Sequence, residues 1–380
     1  MKNKPIKVGI IGLGFIGKVH AQAYHSIPFC FPDAEFKAEV TAILRTSTGR
    51  DLDFIQSLGN PLVTTDTDAF YEADLDMVDI CTPNFLHLEQ AQQAATRGCH
   101  LYVEKPLGWD LAHARQIAAA ASAAGVLTHT AFMKRYYPAV QQAKVVIDAG
   151  MIGEITNFNV RYYHNSYMDP LRPISWRLKH KPSGGGAMAD LGVHIIDMTR
   201  YLLGEAQWVQ CHTRTFIKQR PVEKGSKKMG AVDVDDYSLS VVGMQNGAIG
   251  TIESTRMSGG LGDSNRMEVF GSRGSVVVDL DDPVHCVYYK QADRTHHIGD
   301  LAIPNAHTQP AWPAAKMSLG PFVDAHSACI YDFLHCITQG QESMLNFADA
   351  VKTQEILEAG YRSAKLGGKK LSLPLESEKI

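Results

Sequence analysis

Short apolar runs alternate with helical stretches along the first third of the chain, a pattern that forces a parallel sheet because each strand must return through a crossover helix. The runs predict strands over residues 6–11, 39–44, 62–64, 75–82, 100–103 and 126–131, six strands of one doubly wound sheet. Helix ends are legible between them. A helix over 84–97 stops at Gly98, and Asp110 caps an Ala-rich helix that stops at Gly125. After residue 131 the pattern changes. Pro138 opens a helix ending at Gly150, and from Ile155 strands with alternating faces replace the strand-helix repeat. Residues 237–241 lead to Asn246-Gly247, a dipeptide suited to a type I′ hairpin turn, and 249–255 return. A second hairpin is predicted from 267–270 through Gly271-Ser272-Arg273-Gly274 to 275–280. Residues 281–320 read as loops and short strands, and a last helix spans 347–366. An antiparallel sheet thus follows the parallel one.

The 380 residues suffice for two or three domains with cores of their own. Lys plus Arg (37) nearly balances Asp plus Glu (40), so the formal charge of −3 offers no basic footprint for nucleic acid and no polybasic membrane patch. No window approaches the ~18 unbroken apolar residues of a membrane span, and the N-terminal apolar run is too short for a signal peptide, so the protein is expected in the cytoplasm. Seven cysteines with no C-x-x-C pair read as reduced, mostly buried thiols.

Four constellations carry chemistry. Gly12-Leu13-Gly14-Phe15-Ile16-Gly17 follows the first strand and opens a helix. In that context the first glycine allows a tight turn, the second lets backbone approach a pyrophosphate, and the third lets helix pack on strand, while the helix N-terminus offers free N–H groups. The competing reading is an ordinary tight strand-to-helix turn. An acid at the end of the second strand would grip the adenosine ribose, but Arg45-Thr46-Ser47 stands there, which leans toward NADP and its 2′-phosphate unless Arg45 is only a solvated cation. Glu104-Lys105-Pro106 ends the fifth strand, and ligands of an open α/β sheet sit outside the carboxyl ends of strands. A cis bond before Pro106 would suit a Lys aimed at such a ligand. Finally, Gly184-Gly185-Gly186 precedes Asp190 and His194, four apart and so one turn apart on a helix, a carboxylate beside an imidazole. There the glycines would let the backbone come close to a ligand. A purely structural acid at a helix start is the alternative, and a metal would need a third ligand that no spacing supplies, so none is expected.

These residues, together with Thr82-Pro83-Asn84 and His87, Arg135-Tyr136-Tyr137-Pro138 and Trp176-Arg177, fall in the order and approximate spacing of the Gfo/Idh/MocA oxidoreductase family, which the chain resembles over nearly its whole length. The resemblance implies an α/β fold: a Rossmann domain over 1–132, then an α/β domain over 133–380 with a large, mostly antiparallel open sheet. It implies NAD or NADP bound by Gly12, Gly14, Phe15, Ile16, Gly17, Arg45, Thr46, Thr82, Pro83, Asn84, His87, Glu104 and Lys105, and a sugar, cyclitol or related polyol as substrate. It also implies that Lys105, Asp190 and His194 form the catalytic set. The segment 27–37 departs from the family pattern by lengthening the passage from first helix to second strand.

Removing hydride from a secondary alcohol needs a base and a stabiliser of the oxyanion. His194 suits the base, with Asp190 orienting it, and Lys105 suits the stabiliser. Tyr136, Tyr163, His164 and Arg177 are further candidates for gripping sugar hydroxyls. Two other activities remain open: a redox-neutral glycosidase that oxidises its sugar transiently, and a non-enzymatic NAD(P)-sensing regulator. One sheet face of the second domain is expected to need a partner, so a homodimer or homotetramer is anticipated.

Overall fold

The structure, a computed structural model, describes residues 4–299 and 312–376. Its strands are, in chain order, β1 (Ile6–Ile11), β2 (Ala38–Leu44), β3 (Leu62–Thr64), β4 (Met77–Ile80), β5 (His100–Val103), β6 (Thr128–Thr130), β7 (Ile155–His164), β8 (Ala206–Arg214), β9 (Gln219–Pro221), β10 (Met229–Ala231), β11 (Tyr237–Met244), β12 (Ile249–Thr255), β13 (Asp263–Gly271), β14 (Gly274–Asp279), β15 (Val287–Lys290), β16 (Thr295–Ile298) and β17 (Leu371–Ser372). Among the described residues two compact units form, 4–136 with 312–351, and 137–299 with 352–376.

In the first unit all six strands are parallel, in the order β3-β2-β1-β4-β5-β6. Helices on both faces bury such strands, which is why β4 reads as an unbroken buried run. Strand order reverses at β1, so the turns after β1 and β4 flank the switch point where ligands of this fold bind. The turn after β1 depends on its glycines. Gly12 sits at φ 95°, and a Cβ on Gly17 would lie 2.0 Å from the Gly12 carbonyl oxygen. Gly14 is different, since nothing lies within 4 Å of where its Cβ would be. Asp110 caps the helix Leu111–Ala124 by accepting from His113 N–H at 2.8 Å, and Gly125 closes it at φ 66°. The helix expected over 84–97 begins with a 3₁₀ turn, Asn84–Leu86, and is α-helical over His87–Thr96.

One helix lies beyond the elements that the sequence pattern predicts. Pro321–Gln339 packs in the first unit, with Phe322 stacked on Phe15 (6.1 Å between ring centres), His326 beside His20 (5.0 Å), and Tyr331 against Phe31 (4.5 Å) and Phe36 (4.9 Å). The lengthened 27–37 segment is thereby covered by this helix. Its ends were legible, with Pro321 in the first turn and Gly340 at φ 63° after the last. The first unit therefore extends to Tyr136 and takes back 312–351, which differs from a single change of domain after residue 132.

The second unit is built on a nine-stranded sheet, β16-β15-β14-β13-β7-β12-β11-β8-β17, in which only β7 and β12 pair in parallel. Period-two alternation along β7 buries Phe158, Val160 and Tyr162 on one face, the strand packing against the helix Val193–Leu203, and sends Asn157, Asn159, Arg161 and Tyr163 to the other. Both predicted hairpins form. The first turn is not type I′, because Asn246 is absent from the positive-φ residues. Instead Met244 N–H donates to Ala248 and Gly247 N–H to Met244, with Gly247 at φ 90°, a three-residue loop ending in a glycine bulge. Of the segment 281–320, residues 281–299 hold the two short strands β15 and β16, and 300–311 lie outside the described residues.

Two glycine substitutions should separate packing from open space. Gly17→Ala should reduce unfolding stability by about 1–3 kcal/mol through overpacking. Gly14→Ala should lose less than about 1 kcal/mol, the difference between Gly and Ala as a helix cap. Urea unfolding of the two variants beside the parent measures both.

Candidate active site

In the first unit, the helix Phe15–Cys30 starts at Gly14 with no side-chain cap, so its first-turn N–H groups are left for an anion and the open face of Gly14 gives access to them. These residues fit a dinucleotide pyrophosphate. Phe15 is exposed and Ile16 half-buried beside them. Arg45, at the end of β2, is not a free cation. One guanidinium nitrogen donates to the Asp51 carboxylate at 3.0 Å and the other to the Arg50 carbonyl at 3.0 Å, while Thr46 is exposed.

After β4, Thr82 donates through its hydroxyl to Gln90 at 2.6 Å, Pro83 precedes the 3₁₀ turn, and Asn84 is buried within it. His87 is fully buried, its ring nitrogens 3.0 Å from the Thr82 carbonyl and 3.2 Å from that of Leu107. It was expected against the cofactor. Its place is instead that of a staple between the loop after β4 and the loop carrying Lys105, because both ring nitrogens face backbone. The Lys105-Pro106 bond is cis, Lys105 is half-buried, and its N–H donates to the Glu104 carboxylate at 3.1 Å.

Glu104 belongs to a buried chain of polar groups. His20 Nδ1 lies 3.0 Å from Asp79, which also accepts from the Tyr24 hydroxyl at 3.1 Å, and His20 Nε2 lies 3.4 Å from Glu104. Burial alone would lower the His20 pKa. The Cys81 sulfur and the Asp79 carboxylate, both bonded to the ring, outweigh it and hold His20 well above the ordinary value. Glu104 is held below its ordinary value because His20 and Lys105 outweigh its burial. His326 is the converse: burial, then the charge of His20, push it down to about 3. Two trios, His20-Glu104-His326 and His20-Asp79-Cys81, bring possible metal-ligand atoms within 4.8 Å of one another. His20 is common to both.

In the second unit, Asp190 lies in a single π-helical turn, Met188–Gly192, that runs straight into the helix Val193–Leu203 bearing His194. The expected four-residue spacing on a regular helix thus crosses a π-turn. Asp190 accepts from Arg256 at 2.9 Å. Arg256 is fully buried, lies over the Tyr167 ring (4.7 Å) and donates to the Arg177 carbonyl at 3.4 Å. Burial disfavours its charge, but the Asp190 carboxylate outweighs that and holds its pKa above the ordinary value. His194 is buried, with Tyr162 edge-on at 6.2 Å.

Two of the three glycines, Gly185 and Gly186, serve the protein itself, contrary to the expectation that they admit a ligand. A Cβ on Gly185 would fall 2.2 Å from the Tyr361 hydroxyl, and one on Gly186 would fall 1.9 Å from the Asp235 carbonyl. Asp235 accepts from Gly186 N–H and Met188 N–H, each at 2.8 Å, and Tyr361 accepts from Gly186 N–H (3.0 Å) and Ala189 N–H (3.1 Å). Together they anchor the start of the turn that carries Asp190.

Two expected sugar-gripping residues are engaged elsewhere. Tyr136 is fully buried in the first unit and donates to Asp332 at 2.7 Å. Tyr163 lies on the sheet face opposite Tyr162 and donates to Glu253 at 2.5 Å. His164 Nδ1 accepts from Ser166 N–H at 3.1 Å, and the Arg177 guanidinium stacks on Trp176 (4.4 Å), both half-buried.

Residues 6–132 match the model of an oxidoreductase family with an NAD-binding Rossmann fold, and 140–277 match the GFO/IDH/MocA C-terminal domain. The chain belongs to the Gfo/Idh/MocA oxidoreductase family. It is similar to the levoglucosan dehydrogenase of Pseudarthrobacter phenanthrenivorans, 32% identical with 94% of this chain and 96% of that one covered. It is also similar to the scyllo-inositol 2-dehydrogenase (NAD(+)) of Bacillus subtilis, 27% identical over 95% of each. The solved complex of levoglucosan dehydrogenase with NADH and levoglucosan superposes with a TM-score of 0.88 at 30% identity, covering 98% of this chain and all of that one.

In this member of the Gfo/Idh/MocA family, sequence reasoning missed Arg256, Asp235, Tyr361, His20 and His326. Their partners lie 49 to 175 positions away for the anchors of Gly186 and 66 for Arg256, so no local spacing announces them. His326 gives a pH prediction. Its folded pKa of about 3 lies below that of a free histidine, so the unfolded chain binds more protons below about pH 6.5. Stability should fall as pH drops through that window. His326→Gln should flatten this part of the curve of unfolding free energy against pH, measured by urea titration.

Proposed function

We propose that this protein is an NAD(P)-dependent dehydrogenase that moves a hydride between a secondary alcohol of a sugar, cyclitol or related polyol and the nicotinamide. The observation that carries this reading is Asp190, a carboxylate held by the buried Arg256, one turn ahead of His194. Its setting is a chain whose other unit offers an open glycine cradle and the Lys105 loop. The names of its relatives, dehydrogenases of levoglucosan and of inositol, support the substrate class. When bound, the nicotinamide takes up or returns the hydride.

The chain's own residues handle the proton and the charge. His194 takes the hydroxyl proton in oxidation and returns it in reduction, Asp190 orients it, and Lys105 donates to the reacting oxygen. Gly12, Gly14 and Gly17 shape the pyrophosphate turn, and Arg177 and His164 remain candidates for substrate hydroxyls. NAD and NADP both remain open as cofactor, but the lean to NADP loses its ground, since Arg45 is already paired with Asp51. We place the enzyme in the cytoplasm, in keeping with seven unpaired cysteines.

Following nicotinamide absorbance while scanning sugars and cyclitols with NAD and NADP tests the reading. Turnover of at least one such alcohol is expected, and no reduction with any of them would sink it. A tightly retained nucleotide with no net absorbance change would point to the redox-neutral glycosidase. His194→Ala should lower turnover by roughly 10² to 10⁴ with nucleotide affinity nearly intact. Asp190→Asn should shift the pH profile of oxidation to lower pH with some loss of rate, and Lys105→Ala should slow the chemical step. Melting temperatures of each variant separate these losses from unfolding. A His194 variant that stays folded and turns over near the parental rate would remove the assignment.

We also propose a homodimer or homotetramer built on the second unit's sheet. Leu239, Val241 and Val277 are half-buried on the face that also carries Tyr163 and Glu253, a mixture suited to a second copy of this chain. Sedimentation at micromolar concentration should give a multiple of 41.7 kDa. A monomer mass would count against it.

A further inference from the structure

The second strand ends without the acid that usually grips an adenosine ribose, yet an acid reaches that place from six residues further on. Asp51 sits in the left-handed region at φ 60°, which turns its carboxylate back onto Arg45. One carboxylate oxygen accepts from Arg45 at 3.0 Å and the other from Lys18 at 2.6 Å. Lys18 comes from the first turn of the helix that the glycine motif opens, and Arg45 follows directly on β2. Lys18 and Arg45 are therefore bonded to a single carboxylate, and their hydrogen bonds hold Asp51 below its ordinary pKa.

We propose that Asp51 is the residue that sets the cofactor preference, favouring NAD over NADP by occupying the two cations a 2′-phosphate would need. A 2′-phosphate brings close to two negative charges and is held by Arg or Lys at the end of the second strand. To bind here it must displace Asp51 from Lys18 and Arg45 and leave a carboxylate beside a dianion. A ribose diol meets no such conflict, because its hydroxyls donate to a carboxylate. Asp51 thus supplies, from a loop, the acid that the strand end lacks. This inference rests on the proposed nucleotide-binding function.

The test is equilibrium binding of NAD and of NADP, by calorimetry, to the full-length protein and its variants. Asn tolerates the left-handed conformation and keeps the shape of the side chain, so Asp51→Asn is the primary variant and Asp51→Ala the second. The parent should bind NAD more tightly. In Asp51→Asn the ratio of NADP to NAD affinity should rise by about tenfold or more, the size of one unmasked charge-assisted contact. Adding Arg45→Ala should abolish the gain. A parent that prefers NADP, or an Asp51→Asn protein with parental melting temperature and unchanged ratio, overturns the inference while leaving the dehydrogenase reading intact. A folded parent that binds neither nucleotide overturns that reading itself.

Discussion

A buried imidazole set between two carboxylates ties together the first unit's working loops. His20 comes from the helix after the glycine turn, Asp79 from β4 and Glu104 from the end of β5, and the distances of 3.0 and 3.4 Å join all three beneath the switch point of the sheet. Burying such groups is expensive, and hydrogen bonds offset the cost: Asp79 bonds to His20 Nδ1 and accepts from the Tyr24 hydroxyl, and Glu104 accepts from the Lys105 N–H. Tyr24 and Cys81 complete the shell around Asp79, and the Lys105 N–H completes Glu104. The loop bearing Lys105 is fixed a second time by His87, which ties Leu107 to Thr82. Lys105 is thus carried on backbone fixed on both sides, the kind of support that the proposed role toward a reacting oxygen requires.

The second unit reaches the same end by other means. Its candidate acid sits on a π-helical turn, a local irregularity that a regular helix would not adopt without support. The support is specific: Asp235 and Tyr361 take up the N–H groups of Gly186, Met188 and Ala189, and Arg256 takes hold of the Asp190 side chain. Gly185 and Gly186 are required because the anchors come too close for any Cβ. Lys105 and Asp190 are half-buried, and the groups that hold them, Glu104 and Arg256, are buried.

Family membership fits this division of labour. One unit offers a cradle for a dinucleotide, and the other holds an acid and an imidazole on a braced turn. Within the cradle, the state of Arg45 shows how a cation read from a linear motif changes meaning when a neighbour neutralises it. Two of the donors that a free arginine would offer a 2′-phosphate are taken up here by Asp51 and the Arg50 carbonyl.

The sequence by itself determined the order of elements and the local turns. The six parallel strands, the glycine turn, the caps at Asp110 and Gly125 and the two hairpins all follow from patterns a few residues long, where propensity and side-chain period act, and the same patterns singled out Lys105, Asp190 and His194 as candidates. It even held the ends of the helix Pro321–Gln339 in Pro321 and Gly340, although nothing local said that the helix would return to the first unit. Only the tertiary structure decided which polar side chains are used up by one another. Tyr136 pairs with Asp332 across 196 positions, Tyr163 with Glu253 across 90, and Arg256 with Asp190 across 66. Burial and partnership are properties of the folded packing, because removing water from a charged or polar group forces it to find a partner wherever the chain happens to bring one.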